Sequence, residues 1–362
     1  MHGLKVAFTG LPRQYNNLRE EILDVTDVVL RSGNLMNGNY TAEFESWLAR
    51  KNHVKHAVTC HSGTQALEII ASYCAGNLQD QDKCSTVLIP ALTYPATANA
   101  FMRTGWQVEI VDTDTYGCMD QKQIDCTQNY DAICVVGLYG AALQDNWDTM
   151  TDCLIEDGAQ HWLADNCEHQ GKYTAISFDP TKNFPNYGNG GAIVTNDLYL
   201  SEYARNWTNN GKSSGHEVAG SNSRMSEIDC AQMMIKTQYL DAWQLRRGSI
   251  ARYWMSKLQD LFTVRCLIDD INFKKHSFHK FVIEVDDRDI LQKKLSALRI
   301  ETKIHYQYPL HELPAYQHLQ GPNILSPASS LARRCLTLPL YPELTDLEVD
   351  YVIKQVIDSV AV

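Results

Sequence analysis

Several familiar signatures are missing from this 362-residue chain. None of the patterns GxxxxGK[ST], GxGxxG and GxSxG occurs, which removes the common nucleotide-binding and hydrolase readings. The 12 histidines show no HExxH or similar ligand spacing. No metal site is therefore expected, and His276 and His279 are expected on the surface beside a strand. The 11 cysteines are scattered, odd in number and without a CxxC pair, which fits reduced thiols in a cytoplasmic protein better than a disulfide framework. The opening Met1-His2-Gly3-Leu4-Lys5 lacks the apolar core of a signal peptide. On that reading the sequons at Asn39-Tyr40-Thr41 and Asn206-Trp207-Thr208 are accidental. No apolar run is long enough to span a bilayer. A net charge of −11 argues against a general nucleic-acid binder, though not against an anionic small substrate, because a pocket's field is local.

What is present suits a soluble globular protein: 44% apolar and 21% charged residues, in a chain long enough for a large domain and a smaller one. Leu18, Ile22, Val25 and Val29 share one helical face, with Gly33 as a stop, and Phe44, Trp47 and Leu48 suggest a second short helix. Strands then alternate with helices: strands at 57–60, 87–90, 107–112, 133–138, 153–156 and 192–195, helices at 64–73 and 96–103. This rhythm predicts an α/β fold with a mostly parallel central sheet covered by helices. A long helix over 238–254 leaves the sheet, and the rhythm restarts with a strand at 280–285, a helix at 290–298 and a strand at 302–306. The last helix has a capping box, Thr345-x-x-Glu348, ahead of an apolar stripe through Val349, Val352, Ile353, Val356, Ile357 and Val360. The boundary is expected near residue 245, between a large α/β domain at 1–245 and a smaller α+β domain at 246–362.

One stretch carries the most chemistry. Ser177-Phe178-Asp179-Pro180-Thr181-Lys182-Asn183 sets a lysine in a short loop between apolar segments, five residues after a hydroxyl and just ahead of Gly188-Asn189-Gly190-Gly191. A lysine in a water-poor loop is biased toward the neutral amine and can form a Schiff base. Ser62-Gly63-Thr64 joins a strand to a helix and can present backbone N–H groups to a phosphate. Asp157 ends an apolar strand, where α/β sheets place their sites, and a buried carboxylate there can keep a pyridinium nitrogen protonated. Tyr94 ends another strand and can stack on a flat ring. The loop 220–227 reads as a capped helix start, with Ser226 as cap. Taken singly, these are a surface lysine, an N-cap, a capping aspartate and a rim aromatic. Together and in this order they are the parts that pyridoxal phosphate needs.

The chain resembles the DegT/DnrJ/EryC1/StrS sugar aminotransferases, within the fold-type I group of pyridoxal phosphate enzymes. The resemblance rests on Ser32-Gly33, the 54–58 strand, Ser62-Gly63-Thr64-Gln65-Ala66-Leu67, Pro90-Ala91-Leu92-Thr93-Tyr94 and Leu138-Tyr139-Gly140. It continues through Glu156-Asp157-Gly158-Ala159-Gln160, the Ser177–Asn183 stretch, Asn222-Ser223-Arg224-Met225-Ser226-Glu227, His305-Tyr306 and Leu338-Pro339-Leu340-Tyr341. It implies that Lys182 is the Schiff-base lysine, that Asp157 pairs with the pyridine nitrogen, that Gln160 contacts the ring's 3′-oxygen and that Tyr94 stacks on its face. It implies that Gly63, Thr64 and Ser177 hold the phosphate, and that Asn222 reaches the phosphate bound in the neighbouring subunit of a homodimer. The implied reaction passes an amino group from glutamate through pyridoxamine phosphate to a nucleotide-linked keto sugar, with a 4-keto-6-deoxy sugar as leading acceptor. Lys212, Arg224 and His305 are the candidates for contacting that substrate. Two departures stand out: the stretch between Gln160 and Ser177 is short, and Asp179 occupies a position where many relatives carry an aromatic residue or histidine. Alternatives on the same scaffold are a sugar dehydratase, which Lys182 opposes because such relatives carry histidine there, and a non-catalytic cofactor- or sugar-binding regulator.

Overall fold

A computed structural model describes residues 4–77, 84–125, 127, 130–143, 147–268, 273–319 and 326–360. Helix α1 (Leu11–Ser32) buries Leu18, Ile22, Val25 and Val29 along one face and stops at Gly33, whose φ of 69° suits a residue without a side chain. Helix α2 (Asn39–Lys51) takes its cap from a distant part of the chain. The buried carboxylate of Glu227 accepts from the backbone N–H groups of Gly38 (2.8 Å) and Tyr40 (2.7 Å). The last residue of the Asn222–Glu227 motif therefore ties two segments of the fold together.

The alternating region forms β1 (His56–Cys60), α3 (Gly63–Asn77), β2 (Thr86–Pro90), α4 (Pro95–Arg103), β3 (Gln107–Val111), β4 (Ala132–Val136), β5 (Leu154–Asp157), β6 (Tyr173–Ser177) and β7 (Gly191–Thr195). Seven strands make one sheet in the order β1-β7-β6-β5-β4-β2-β3. Neighbours from β6 to β3 pair in parallel, and β7 is antiparallel to both β6 and β1, so it alone runs against the rest. Val87, Ile89, Ile133, Val135 and Ile155 are almost fully buried, as both faces of a helix-covered parallel sheet must be.

After α5 (Leu198–Trp207) and α6 (Glu227–Thr237), the helix expected over 238–254 runs as α7 (Leu240–Leu258). Beyond it lie β8 (Arg265–Cys266), β9 (Phe281–Glu284), α8 (Arg288–Ala297), α9 (Ser326–Arg334), β10 (Cys335–Leu338) and α10 (Asp346–Val360). The second sheet, β10-β9-β8, is antiparallel. Its core joins Phe281 and Ile283 to Trp254 of α7, to Val349, Val352 and Val356 of α10, and to Val6 from the other end of the chain. The capping box forms: Thr345 Oγ1 accepts the Glu348 N–H at 3.2 Å and Glu348 Oε2 accepts the Thr345 N–H at 2.9 Å.

Two expectations are corrected. The strand expected over 302–306 is a single bridge, Lys303 to Thr337; beyond it Tyr306 turns toward Gln160 instead of continuing the ladder. His276 and His279 are not surface residues, each being only 5% exposed. The loop carrying them threads past the end of β4, where the Ser277 N–H donates to the Gly140 carbonyl at 2.7 Å and the Lys280 N–H to that of Tyr139 at 3.0 Å. Among the described residues no helix is long and apolar enough to cross a membrane.

Candidate active site

The β1–α3 turn and the carboxyl ends of β5 and β6 open into one cavity of about 500 Å³. The first N–H groups of α3, those of Gly63 and Thr64, have no acceptor within the helix and sit at its positive end. Ser62 Oγ accepts the Gln65 N–H at 3.1 Å and so fixes the turn. A Cβ at residue 63 would lie 2.7 Å from Ser177 Cβ, so only glycine lets this turn close onto β6. At residue 191 it would lie 2.3 Å from the carbonyl carbon of Ser62, which pins the turn from β7. The Ser177 hydroxyl, which accepts the Asp179 N–H at 3.3 Å, faces the same space. Helix-terminal amides with a serine hydroxyl beside them fit a phosphate dianion.

Asp157, the last residue of β5, is 5% exposed and borders the cavity. Its Oδ2 accepts from Thr97 Oγ1 at 2.7 Å and its Oδ1 from the Ala159 N–H at 3.2 Å. Thr97 thereby gives up its proton, so the hydroxyl of Thr93, 3.0 Å away, donates to it. Each carboxylate oxygen keeps capacity for another donor, which is what a protonated ring nitrogen requires. Gln160 is fixed on several sides: Oε1 accepts the Tyr139 N–H at 2.9 Å, Nε2 lies 3.3 Å from Tyr306 Oη, and its carbonyl takes the Ser277 hydroxyl at 2.6 Å. Tyr94, 57% exposed, stands at the mouth with its ring centroid 5.9 Å from that of Tyr306.

The lysine loop is closed at its base, where the Phe178 N–H meets the Gly190 carbonyl (2.8 Å) and the Asn186 N–H the Phe178 carbonyl (2.7 Å). Asp179 is the device that turns it. Its Oδ1 accepts from the Thr181 N–H (2.9 Å) and hydroxyl (2.6 Å), and its carbonyl from the Lys182 N–H (2.9 Å). Burial pushes the Lys182 pKa below the ordinary lysine value, while Asp157 and Asp179 pull the other way. The net shift raises the amine fraction that a Schiff-base lysine needs. Beneath the loop Lys236 is fully buried, donates to the Pro185 carbonyl at 2.6 Å and lies 3.5 Å from the Tyr187 ring centre; burial lowers its pKa to about 7.

Of the residues singled out from sequence, Gly63, Thr64, Tyr94, Asp157, Gln160, Ser177, Lys182 and His305 all border this cavity. Asn222, Lys212 and Arg224 do not border it. Asn222 and Lys212 are exposed, and an Arg224 nitrogen lies 3.3 Å from Asn222 Oδ1. Their loop abuts the phosphate turn from outside, where the His61 N–H donates to the Ser223 carbonyl at 2.6 Å. Sequence reading missed Thr93, His279, Lys280 and Tyr306 as wall residues, and Thr97 as the donor that holds Asp157 from outside the wall. Tyr306 had a signal in its pairing with His305; the threonines, one helical turn apart, had none.

The sequence model of the DegT/DnrJ/EryC1/StrS aminotransferase family matches residues 16–357. The chain belongs to this family. DegT/DnrJ/EryC1/StrS aminotransferases depend on pyridoxal phosphate, and the phosphate turn, Asp157 and Lys182 fit that cofactor. The chain is 33% identical to the erythromycin biosynthesis sensory transduction protein EryC1 of Saccharopolyspora erythraea, over 97% of this chain and 98% of that one. It is 31% identical to the dTDP-3-amino-3,4,6-trideoxy-alpha-D-glucose transaminase of Streptomyces venezuelae, over 94% and 92%. Among solved structures, S. venezuelae DesV in complex with a ketimine intermediate superposes with a TM-score of 0.91 at 30% identity, covering 98% of each chain.

Proposed function

We propose that this aminotransferase moves an amino group from an amino acid, glutamate foremost, to a nucleotide-linked keto sugar, with a 4-keto-6-deoxy sugar as leading acceptor. One observation carries the reading: Lys182, Asp157 and the Gly63–Thr64–Ser177 cradle meet in a single cavity. A relative named as a dTDP-amino-sugar transaminase supports the substrate class.

When bound, pyridoxal phosphate supplies the electron sink for the pair left when the donor's Cα loses its proton. The chain does the rest. The α3 amides and Ser177 hold the phosphate end, and Lys182 supplies the covalent link at the other. Asp157, oriented by Thr97 and the Ala159 N–H, keeps the ring nitrogen's proton in place. Gln160, held by Tyr139 and Tyr306, presents an amide to the ring's 3′-oxygen. Tyr94, at the cavity mouth, would cover the ring's face. With the cofactor bound, the Lys182 amine would take and return the proton at the donor's Cα, and its lowered pKa suits it to that task. His305 borders the same cavity and is assigned to the sugar substrate, with Lys212 and Arg224 outside it as contacts for the diphosphate.

The active unit is read as a homodimer. Asn222 is exposed and outside its own chain's cavity, as a residue serving the neighbouring subunit's phosphate would be. The same reading divides the chain into a cofactor-binding part at 1–245 and a smaller part at 246–362, with α7 running between them, and places the protein in the cytoplasm. The sensory-transduction name of one relative favours a second reading, a regulator that binds cofactor without turnover.

Reconstitution with pyridoxal phosphate, followed by L-glutamate, separates the two. Aminotransfer predicts loss of the cofactor's visible absorbance and release of 2-oxoglutarate. Lys182→Ala should reduce turnover by at least about 10⁴-fold, as expected when one group supplies both attachment and proton transfer. Absorbance that responds to no amino acid would leave the regulator.

A further inference from the structure

Among the described residues bordering the cavity, the basic side chains are Lys182, His279, Lys280 and His305. Lys182 is committed to the cofactor. Burial pushes both histidines down, His279 well below its ordinary value and His305 to about 3, and neighbouring lysines push the same way, so both are neutral. That leaves Lys280, only 7% exposed, as the lysine of this cavity available to an incoming substrate's anion.

Its surroundings are incomplete. Lys280 Nζ donates to one protein acceptor, the Thr181 carbonyl, at 3.2 Å, and lies 5.3 Å from the Phe8 ring centre. Lys303 lies 4.9 Å from the centre of the same ring. Neither lysine forms an ion pair with a described residue, although Arg265, Arg288 and Arg334 in the same part of the chain all do. Burial and the charges of Lys182, Arg247 and Lys303 disfavour the Lys280 ammonium, with Asp179 opposing them. With no counter-charge among the described residues, the Lys280 ammonium becomes favourable once an anion stands beside it.

We infer that Lys280 binds the α-carboxylate of the amino donor, and so is a specificity-determining residue of this site. The inference rests on the aminotransferase reading, in which an amino acid must bring its nitrogen to the place Lys182 occupied. The donor's carboxylate is attached to the same carbon as that nitrogen. Lys280 is bonded to the carbonyl of Thr181, the residue directly before Lys182, and both lysines border the same cavity. The carboxylate supplies the missing counter-charge and displaces no internal ion pair. Lys303, exposed and near the same Phe8 ring, adds positive potential in the neighbourhood of Lys280.

The test uses the reconstituted holoenzyme and two donors that differ in one group, L-glutamate and its α-carboxamide, L-isoglutamine. The apparent dissociation constant, read from the cofactor's absorbance change, should be about 30-fold weaker for isoglutamine, the size of one charge-assisted hydrogen bond. Lys280→Met should weaken glutamate by a similar factor and abolish the discrimination, and Lys280→Arg should restore most of it. Calorimetry with maleate, an unreactive dicarboxylate, should show the same loss in Lys280→Met, while its affinity for pyridoxal phosphate stays within about twofold of wild type. Wild-type enzyme that treats the two donors alike overturns the inference without touching the aminotransferase reading. So does a Lys280→Met variant impaired only toward the keto sugar, which would assign the site to the acceptor. Wild-type enzyme inert to every amino acid overturns both.

Discussion

Glu156 and Asp157 are consecutive on β5 and both buried, yet their surroundings are opposite. Successive strand residues face opposite sides of a sheet, so one carboxylate points into the cavity and the other into the packing beneath. Glu156 is saturated. Its Oε1 accepts the N–H groups of Gln170 (2.5 Å) and Gly171 (2.6 Å), and its Oε2 faces His169 Nδ1 (2.8 Å) and His161 Nε2 (3.3 Å). His161 must donate, because its Nδ1 accepts the Gly137 N–H at 3.1 Å. His169 lies between Glu156 and Asn52 Oδ1 (2.8 Å), the Asn52 amide nitrogen being directed at the Leu48 carbonyl. Asp157 has one donor on each oxygen and room for a third. A closed polar network fixes structure; an open one of the same residue type is where a ligand belongs.

The largest effect should follow from disabling the open member. Asp157→Asn leaves the cradle and Lys182 to hold the cofactor but removes the charge to which the proposed function assigns the ring nitrogen's proton. We expect turnover to fall about 10³-fold, with cofactor affinity, measured by fluorescence titration, changing far less. Unchanged turnover would remove Asp157 from the role of pyridinium partner.

The closed member should behave the other way. Glu156→Gln removes the carboxylate that two histidines and two backbone donors share and sets an amide against those donors, costing about 3 kcal/mol of stability by urea unfolding of the holoenzyme. Turnover per bound cofactor should change little. Acid provides a second reading. Burial alone would raise the Glu156 pKa; the charge of His169 and the hydrogen bonds from both histidines outweigh it and hold the carboxyl well below the ordinary range. A folded pKa below the unfolded value of about 4.3 contributes stability that is complete above that pH and lost as pH falls beneath it. The wild-type melting temperature should therefore drop more steeply between about pH 5 and 3 than that of Glu156→Gln. Parallel curves would show that Glu156 is not the group being titrated.

The contrast also explains what the sequence could and could not disclose. Strands with both faces buried announce themselves as short apolar runs, and β1 to β5 fall within a few residues of their expected places. The Gly63 turn and Asp157 were legible because strand–turn–helix junctions and strand ends are local features. Thr97, His279 and Lys280 were not, because what matters about each is a partner far away in sequence: Asp157 lies 60 residues from Thr97, and Gln160 lies 119 from His279. The 302–306 segment looked like a strand because its residues favour one, but tertiary contacts to Gln160 and Thr337 draw it away after one pairing. Asp179 looked anomalous beside the family pattern, yet it closes the turn that presents Lys182.

The smallest effect belongs to the residue between the open carboxylate and its support. Thr97→Val keeps the volume but removes the hydroxyl that Asp157 Oδ2 accepts from, and leaves the Thr93 hydroxyl without its acceptor. A single hydrogen bond to a charged group is involved, so kcat should fall about tenfold with the donor's KM nearly unchanged. Thr97→Ser, which retains the hydroxyl, should recover most of that loss even though it opens a small void. A merely structural role for Thr97 would give the reverse order, since Ser loses packing that Val keeps. The ranking of Val and Ser therefore decides whether Thr97 orients the carboxylate or only fills the space beneath it.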